Sequence, residues 1–268
     1  MHITQILLYH IPSLVLCIII VGASLAASVY GVLFMRRAVG HQKLKTHNDI
    51  AGAIFSALAM ACTVLMAFVV VVVWQGYDRA AMNVETEANC LMDLRRDSYG
   101  LGEGFSRNVY DLTDEYAKAV MEDEWKTMAR GLPSERVSEA AKKLFSLYAY
   151  YTPRTDTDMV FFEESVKKLN QMLELRRARL VDSRSGIHPI MWSVLMAGAA
   201  ATIVFAFFFG SDNLRSQIIM TSLLSMVIGL ILFMILVFDF PFTGDTRVGP
   251  DAFKTMLSMS GEGAWQRR

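Results

Sequence analysis

Charge is missing where this chain is most apolar. Four runs, Ile11–Met35, Ile50–Trp74, Pro189–Gly210 and Ile218–Phe238, contain no Asp, Glu, Lys, Arg or His. Proton relays and ion-coupled carriers ordinarily keep an acid or a histidine inside the membrane, so this absence argues against a pump or coupled carrier. It leaves a passive channel open. Cysteine is scarce: Cys17, Cys62 and Cys90 stand at no metal or disulfide spacing and read as small buried hydrophobes. There is no Gly-rich phosphate loop, no HExxH and no Ser/His/Asp set in a motif context. No enzyme activity, catalytic residue, metal ligand or cofactor is therefore expected. A basic stripe is also lacking, which argues against a nucleic-acid partner. The stretch Met1–His10 holds no Lys or Arg, and the run after it exceeds the roughly 7–15 residues of a signal-peptide core. It reads as a retained span.

What is present is length. A helix rises about 1.5 Å per residue, so about 20 apolar residues cross the hydrocarbon of a bilayer. Backbone polar groups must pair internally in lipid, which makes these four runs helices. The expected fold is all-α: a four-span helical membrane protein with an inserted soluble helical bundle. Residues 1–75 form a first transmembrane helix pair, 76–187 the insert, 188–240 a second pair, and 241–268 a C-terminal tail. The lipid bilayer is the first partner. The insert is densely charged, with 17 Lys/Arg and 20 Asp/Glu between Gln75 and His188. Such a surface can also receive a protein partner.

Within the insert, Ala81, Val84, Ala88, Leu91 and Leu94 recur at helical steps beyond Trp74 and Tyr77, which fit an interfacial aromatic belt. The second span should thus continue as a helix until the glycines near Gly100. A second helix carries Phe105, Val109, Leu112, Tyr116 and Val120 and ends near Gly131. A third is capped by Ser134 and carries Val137, Ala141, Leu144, Tyr148 and Tyr151. A fourth follows Pro153 with Phe162, Val166, Leu169 and Leu173. Pro189 bends or restarts the chain at the third span. Four amphipathic helices with short links make an antiparallel bundle.

The link after the first span carries Arg36, Arg37, Lys43 and Lys45, against no basic residue before that span. The positive-inside rule then puts the N-terminus and the insert on the outer side. Arg176, Arg177, Arg179 and Arg184, just before the third span, pull the other way.

The second span bears a stripe of small or weakly polar residues, Asn48, Gly52, Ser56, Ala59 and Thr63, which becomes apolar through Met66, Val70 and Val73. Two readings fit. It lines a pore with a dry constriction that gates by dewetting, or it packs closely against neighbouring helices. Ser222, Ser225 and Gly229, like Ala197, Gly198 and Ala201, read as packing. Asp239, Pro241, Phe242 and Gly244 form a membrane-exit turn, with Asp239 wet at the interface. Asp78, Glu85 and Glu87, and Glu122-Asp123-Glu124, match no calcium loop and read as solvated or salt-bridged faces. His47 and His188 read as helix-start signals.

Two stretches carry a family resemblance. One is His47-Asn48-Asp49-Ile-Ala-Gly52 with Ala67-Phe68-Val-Val, Trp74, Tyr77 and Glu87-Ala88. The other is Phe238-Asp239-Phe-Pro241-Phe242-Thr-Gly244 with Pro250 and Phe253. Together they resemble the bacterial bestrophin-like family of membrane proteins, over nearly the whole chain. The resemblance implies a distant likeness to bestrophins, pentameric anion channels whose pore is lined by the second span. Three departures stand out. The acidic calcium-clasp run of animal bestrophins is missing, so calcium gating is not carried over. The aromatic neck is replaced by Met66 and valines. Bestrophins also keep their termini and helical domain in the cytosol. The expected function is an oligomeric passive ion channel, anion-selective by that likeness, in a bacterial cytoplasmic (inner) membrane. The alternative is a non-conducting scaffold, accessory subunit or sensor acting through its soluble helices.

Overall fold

The computed structural model describes residues 3–39, 48–209, 211 and 213–261. Among them every regular element is helical, and four helices are long and apolar enough to cross a membrane. The chain divides into two compact units.

The membrane unit comprises the described residues from 10 to 75 and from 186 to 239. It contains α2 (Ser13–Val39), the first part of α3 (Asn48–Ser98), α8 (Pro189–Ala206) and α9 (Leu214–Phe238). These segments are apolar on all sides, as helices surrounded by lipid and by each other must be. Small residues let them approach closely. A Cβ added to Gly229 of α9 would lie 2.8 Å from Ser24 Oγ of α2. One added to Gly198 of α8 would lie 3.2 Å from Cys62 Sγ of α3. Ser225 and Gly229 are buried, in keeping with their packing role. The unit's core joins Cys62, Met66, Val69 and Val73 of α3 to Leu195 and Ala199 of α8 and to Ile228, Leu232 and Ile235 of α9.

Pro189 restarts the chain. It occupies the first turn of α8, where its missing N–H costs nothing, and His188 Nδ1 accepts from Ile190 N at 3.3 Å. Asn213 caps α9 by accepting from Arg215 N at 3.0 Å. Helix α8 ends at Ala206, short of the expected Gly210, which lies outside the described residues.

The second unit comprises the described residues from 3 to 9, 76 to 185 and 240 to 261. It holds α1 (Ile3–His10, through Tyr9), the latter part of α3, α4 (Glu103–Ala119), α5 (Trp125–Met128), α6 (Glu135–Ala149), α7 (Asp156–Asp182) and α10 (Asp251–Gly261). Val84, Ala88, Leu91 and Leu94 of α3 are buried in its core, as their spacing requires. Ser134 caps α6, its Oγ accepting from Val137 N at 3.4 Å. Thr155 caps α7 in the same way through Asp158 N at 3.1 Å.

One irregularity was not legible beforehand. Between α4 and α5, Val120–Glu124 forms a π-helical turn. Its extra residue rephases the chain, and Glu124 and Trp125 end up buried together. Described residues from the first and last helices also pack into this unit. Gln5 Nε2 donates to Ser183 O at 3.2 Å, and Phe253 is fully buried in the core.

Candidate functional site

The stripe on α3 divides into buried and exposed parts. Met66 and Val73 are 2% and 6% exposed, held in the membrane unit's own core by α8 and α9. Enclosure there favours the packing reading over the constriction reading for these two residues. Gly52, Ala59 and Val70 are half-buried, and Val70 packs at the edge of the same core. Ser56 and Thr63 are exposed. Ser56 Oγ donates to Gly52 O at 2.8 Å, so its hydroxyl is satisfied without leaving the helix surface. The Asn48 side chain lies outside the described residues, as do His47, Lys43 and Lys45.

Around the helix axis three faces follow. One is the packed face of Met66, Val69 and Val73. A second carries Ile54, Phe68 and Val72, large apolar side chains more than half exposed and suited to lipid. Between them runs an unpacked column of small residues, Ser56, Thr63 and Ala67. Successive members are seven and four residues apart, so they share one side of the helix.

Asp239 behaves differently from expectation. It is 5% exposed rather than wet. Its carboxylate accepts from Ile187 N at 2.6 Å and from Trp192 Nε1 at 3.2 Å. The end of α9 is thereby tied to the start of α8, which is why a carboxylate is tolerated there. Beyond it, Pro241, Phe242 and Thr243 are buried in the second unit. Pro241 O accepts from Val248 N at 2.8 Å, and Phe242 meets the Trp125 ring edge-on at 6.0 Å between centroids. Gly244 has φ +90°, a conformation that only glycine adopts without strain.

In the second unit the structure assembles a charge cluster that the sequence had left scattered. Glu87 of α3, Glu124 of the π turn and Arg179 of α7 are all fully buried. Arg179 donates to Glu87 through Nε at 2.7 Å and Nη2 at 2.9 Å, and to Glu124 through Nη2 at 2.9 Å. Arg176 donates to Glu124 at 2.6 Å and 3.2 Å. Tyr116 O–H donates to Glu87 at 2.6 Å, and Ser134 N to Glu124 at 3.2 Å. The Arg179 guanidinium stacks over Trp125 at 5.1 Å from the ring centroid. Two arginines balance two glutamates, so the cluster carries no net charge. Helical phase could have flagged Glu87: it falls on the same face as Val84, Leu91 and Leu94.

Burial acts to raise the Glu124 pKa. The hydrogen bond from Arg176, the charges of Arg179 and Arg176, and the Ser134 N–H outweigh it and hold that pKa below the ordinary glutamate value. A depressed carboxylate stabilises the fold above its unfolded pKa, and that contribution is lost as pH falls through the folded value. The expected result is that Glu124→Gln lowers stability at neutral pH and flattens its decline below about pH 4.5. Chemical unfolding midpoints followed from pH 7 to pH 3 measure this. A variant as acid-sensitive as the parent would refute it.

The fold and these sites define an all-helical, four-span membrane protein with a charge-clamped helical insert. The chain matches the Bestrophin-like domain over residues 22–253, and it belongs to the bestrophin-like family. Solved structures agree in fold. One bacterial bestrophin homologue from Klebsiella pneumoniae, carrying a single substitution, superposes with a TM-score of 0.68 at 11% identity, covering 90% of this chain and 99% of that one. Another from the same organism gives 0.65 at 13% identity, covering 89% and 97%. A further membrane-protein structure gives 0.69 at 13% identity, again covering 89% and 97%. At such identities the likeness is one of fold. No curated protein sequence matches the chain.

Proposed function

We propose that the protein is an oligomeric, passive, anion-selective channel of a bacterial inner membrane, and that its path runs along the unpacked flank of α3. The observation that carries this reading is the column Ser56, Thr63 and Ala67, set between a face buried in the core and a face of large lipid-suited side chains. Small, weakly polar residues gain little from lipid contact. Around a common axis, the same column would leave room for a path and offer hydroxyls to a passing ion. Gly52 and Ala59 flank it, Asn48 would stand at its start, and Val70 forms the dry segment beside it. Val70→Ser wets that segment, and flux through the protein in sealed liposomes should rise several-fold. Unchanged flux in Val70→Ser would count against this lining.

The Arg36-Arg37 link supports an orientation with the N-terminus and the helical insert on the outer side. Two of the opposing arginines, Arg176 and Arg179, are neutralised by Glu87 and Glu124 and weigh little against it. A cysteine placed at the exposed Tyr150 should react with an impermeant thiol reagent added outside intact cells. Protection there, with labelling only after lysis, would reverse the orientation.

A second reading, a non-conducting scaffold or sensor, is favoured by one feature of the insert. Between α4 and α6 lies an open groove of about 750 Å³, with Phe105, Leu112, Leu147 and Tyr151 among its lining and Lys142, Lys143 and Asp111 beside them. An apolar groove with a charged border suits a protein segment.

A further inference from the structure

Helices that face water turn polar side chains outward, yet one surface of the second unit does not. Helix α1 fixes one side to that unit. Gln5 Nε2 donates to Ser183 O at 3.2 Å, and Leu8 is 2% exposed. The other side carries Ile6 and Leu7, 43% and 37% exposed, and the helix has no Asp, Glu, Lys or Arg. The same surface continues around Gly131. A Cβ added there would lie 3.3 Å from Arg184 Cγ and 3.9 Å from Gln5 Nε2, so α1, this turn and the end of α7 meet at one place. Arg130 and Leu132 flank the glycine, and Leu132 is 54% exposed. Arg184 N donates to Val181 O at 3.0 Å, which puts Val181, 59% exposed, on the turn beside it. Arg130 and Arg184 are exposed, and neither side chain enters an ion pair among the described residues. Asp182, the acid next to Val181, is engaged by Asn83 Nδ2 at 3.4 Å.

The chain itself ties this surface to two spans. Two residues separate α1 from α2, and four separate Arg184 from α8. At about 3.3–3.6 Å per extended residue, the first link reaches no more than about 11 Å and the second about 18 Å. The headgroup layer is about 5–8 Å thick on each side of the hydrocarbon. An apolar patch with a basic border suits that layer. Apolar side chains enter the acyl boundary, and a guanidinium grips a phosphate through two parallel hydrogen bonds.

We infer that Ile6, Leu7, Leu132 and Val181 rest in the headgroup layer, and that Arg130 and Arg184 hold the phosphate of an anionic phospholipid there. Two uncompensated positive charges select an anionic lipid over a zwitterionic one. The surface belongs to the second unit alone, and it requires neither conduction nor a particular orientation of the insert.

Titrating the purified full chain, in neutral detergent, with a fluorescent phosphatidylglycerol tests the phosphate contact. Each arginine should account for about a five-fold change in affinity. Arg130→Gln combined with Arg184→Gln should therefore weaken phosphatidylglycerol binding about 25-fold and leave phosphatidylcholine binding unchanged. Equal affinity in the parent and the double variant would overturn the inference. So would displacement of the lipid by inorganic phosphate, which would mark a site for the free anion. The apolar side is read separately, in liposomes of lipids brominated near the headgroup. Leu132→Trp should add fluorescence that the bromine quenches. Tyr150→Trp lies beyond the far end of α6, a helix of 15 residues or about 22 Å, and should add fluorescence that is not quenched. All four substituted positions are exposed, so these variants should fold as the parent does. Unquenched fluorescence from Leu132→Trp would overturn the inference and leave this face to a second copy of the chain.

Discussion

Arg179→Ala is expected to destabilise the helical insert by about 3–5 kcal/mol, the cost of stripping a partner from a buried ion pair. The guanidinium satisfies Glu87 twice and Glu124 once, and all three side chains are fully buried. Removing it strands the Glu87 carboxylate among apolar neighbours with only the Tyr116 hydroxyl as partner. It also deprives Trp125 of the cation stacked on its ring. The large effect comes from the charge left behind more than from the net worth of the pair, so replacing the whole cluster by apolar residues should cost much less. Arg107→Ala is the control. Arg107 lies 3.8 Å from Glu103 with both side chains largely exposed, and its loss should leave the unfolding midpoint nearly unchanged. Circular dichroism during urea unfolding separates the two outcomes. Equal midpoints for the two variants would show that the cluster contributes little.

Thr63→Trp is expected to reduce flux at least tenfold while leaving folding and assembly intact. Thr63 sits in the middle of the small column, and an indole there would fill a narrow path from every subunit at once. Phe68→Trp, on the large apolar face, exchanges one lipid-suited aromatic for another and should leave flux unchanged. Met66→Trp should fail differently. Its site is enclosed by the protomer's own core, so overpacking would lower stability. This pattern separates a path along the column from a general disturbance of α3. Equal flux in Thr63→Trp and Phe68→Trp would remove the column from the path.

Much of the architecture was readable because it rests on repeated local rules. Charge-free runs of sufficient length mark spans wherever they occur. The steps Val84, Ala88, Leu91 and Leu94 carried α3 past the membrane, and Ser134 marked its helix start through an ordinary cap. What stayed hidden depends on long-range pairing. Glu124 meets Arg179 across 55 residues, and the π turn that directs Glu124 inward has no composition of its own. In the sequence, the acidic run Glu122-Asp123-Glu124 and the basic run before the third span look equally solvated. Asp239 misled for a related reason: its partners, Ile187 N and Trp192 Nε1, lie about fifty residues away. The α3 stripe joins exposed residues such as Ser56 and Thr63 to buried ones. Met66 and Val73 are apolar whether they face a path or a core, so composition alone could not divide them.

The most direct measurement is anion flux through the purified wild-type protein in sealed liposomes, with Val70→Ser and Thr63→Trp beside it. The account predicts flux in the wild type, more in Val70→Ser and almost none in Thr63→Trp. Folded, inserted protein with no anion flux in the wild type or in Val70→Ser would contradict it and leave the insert's helices as the working part of the molecule.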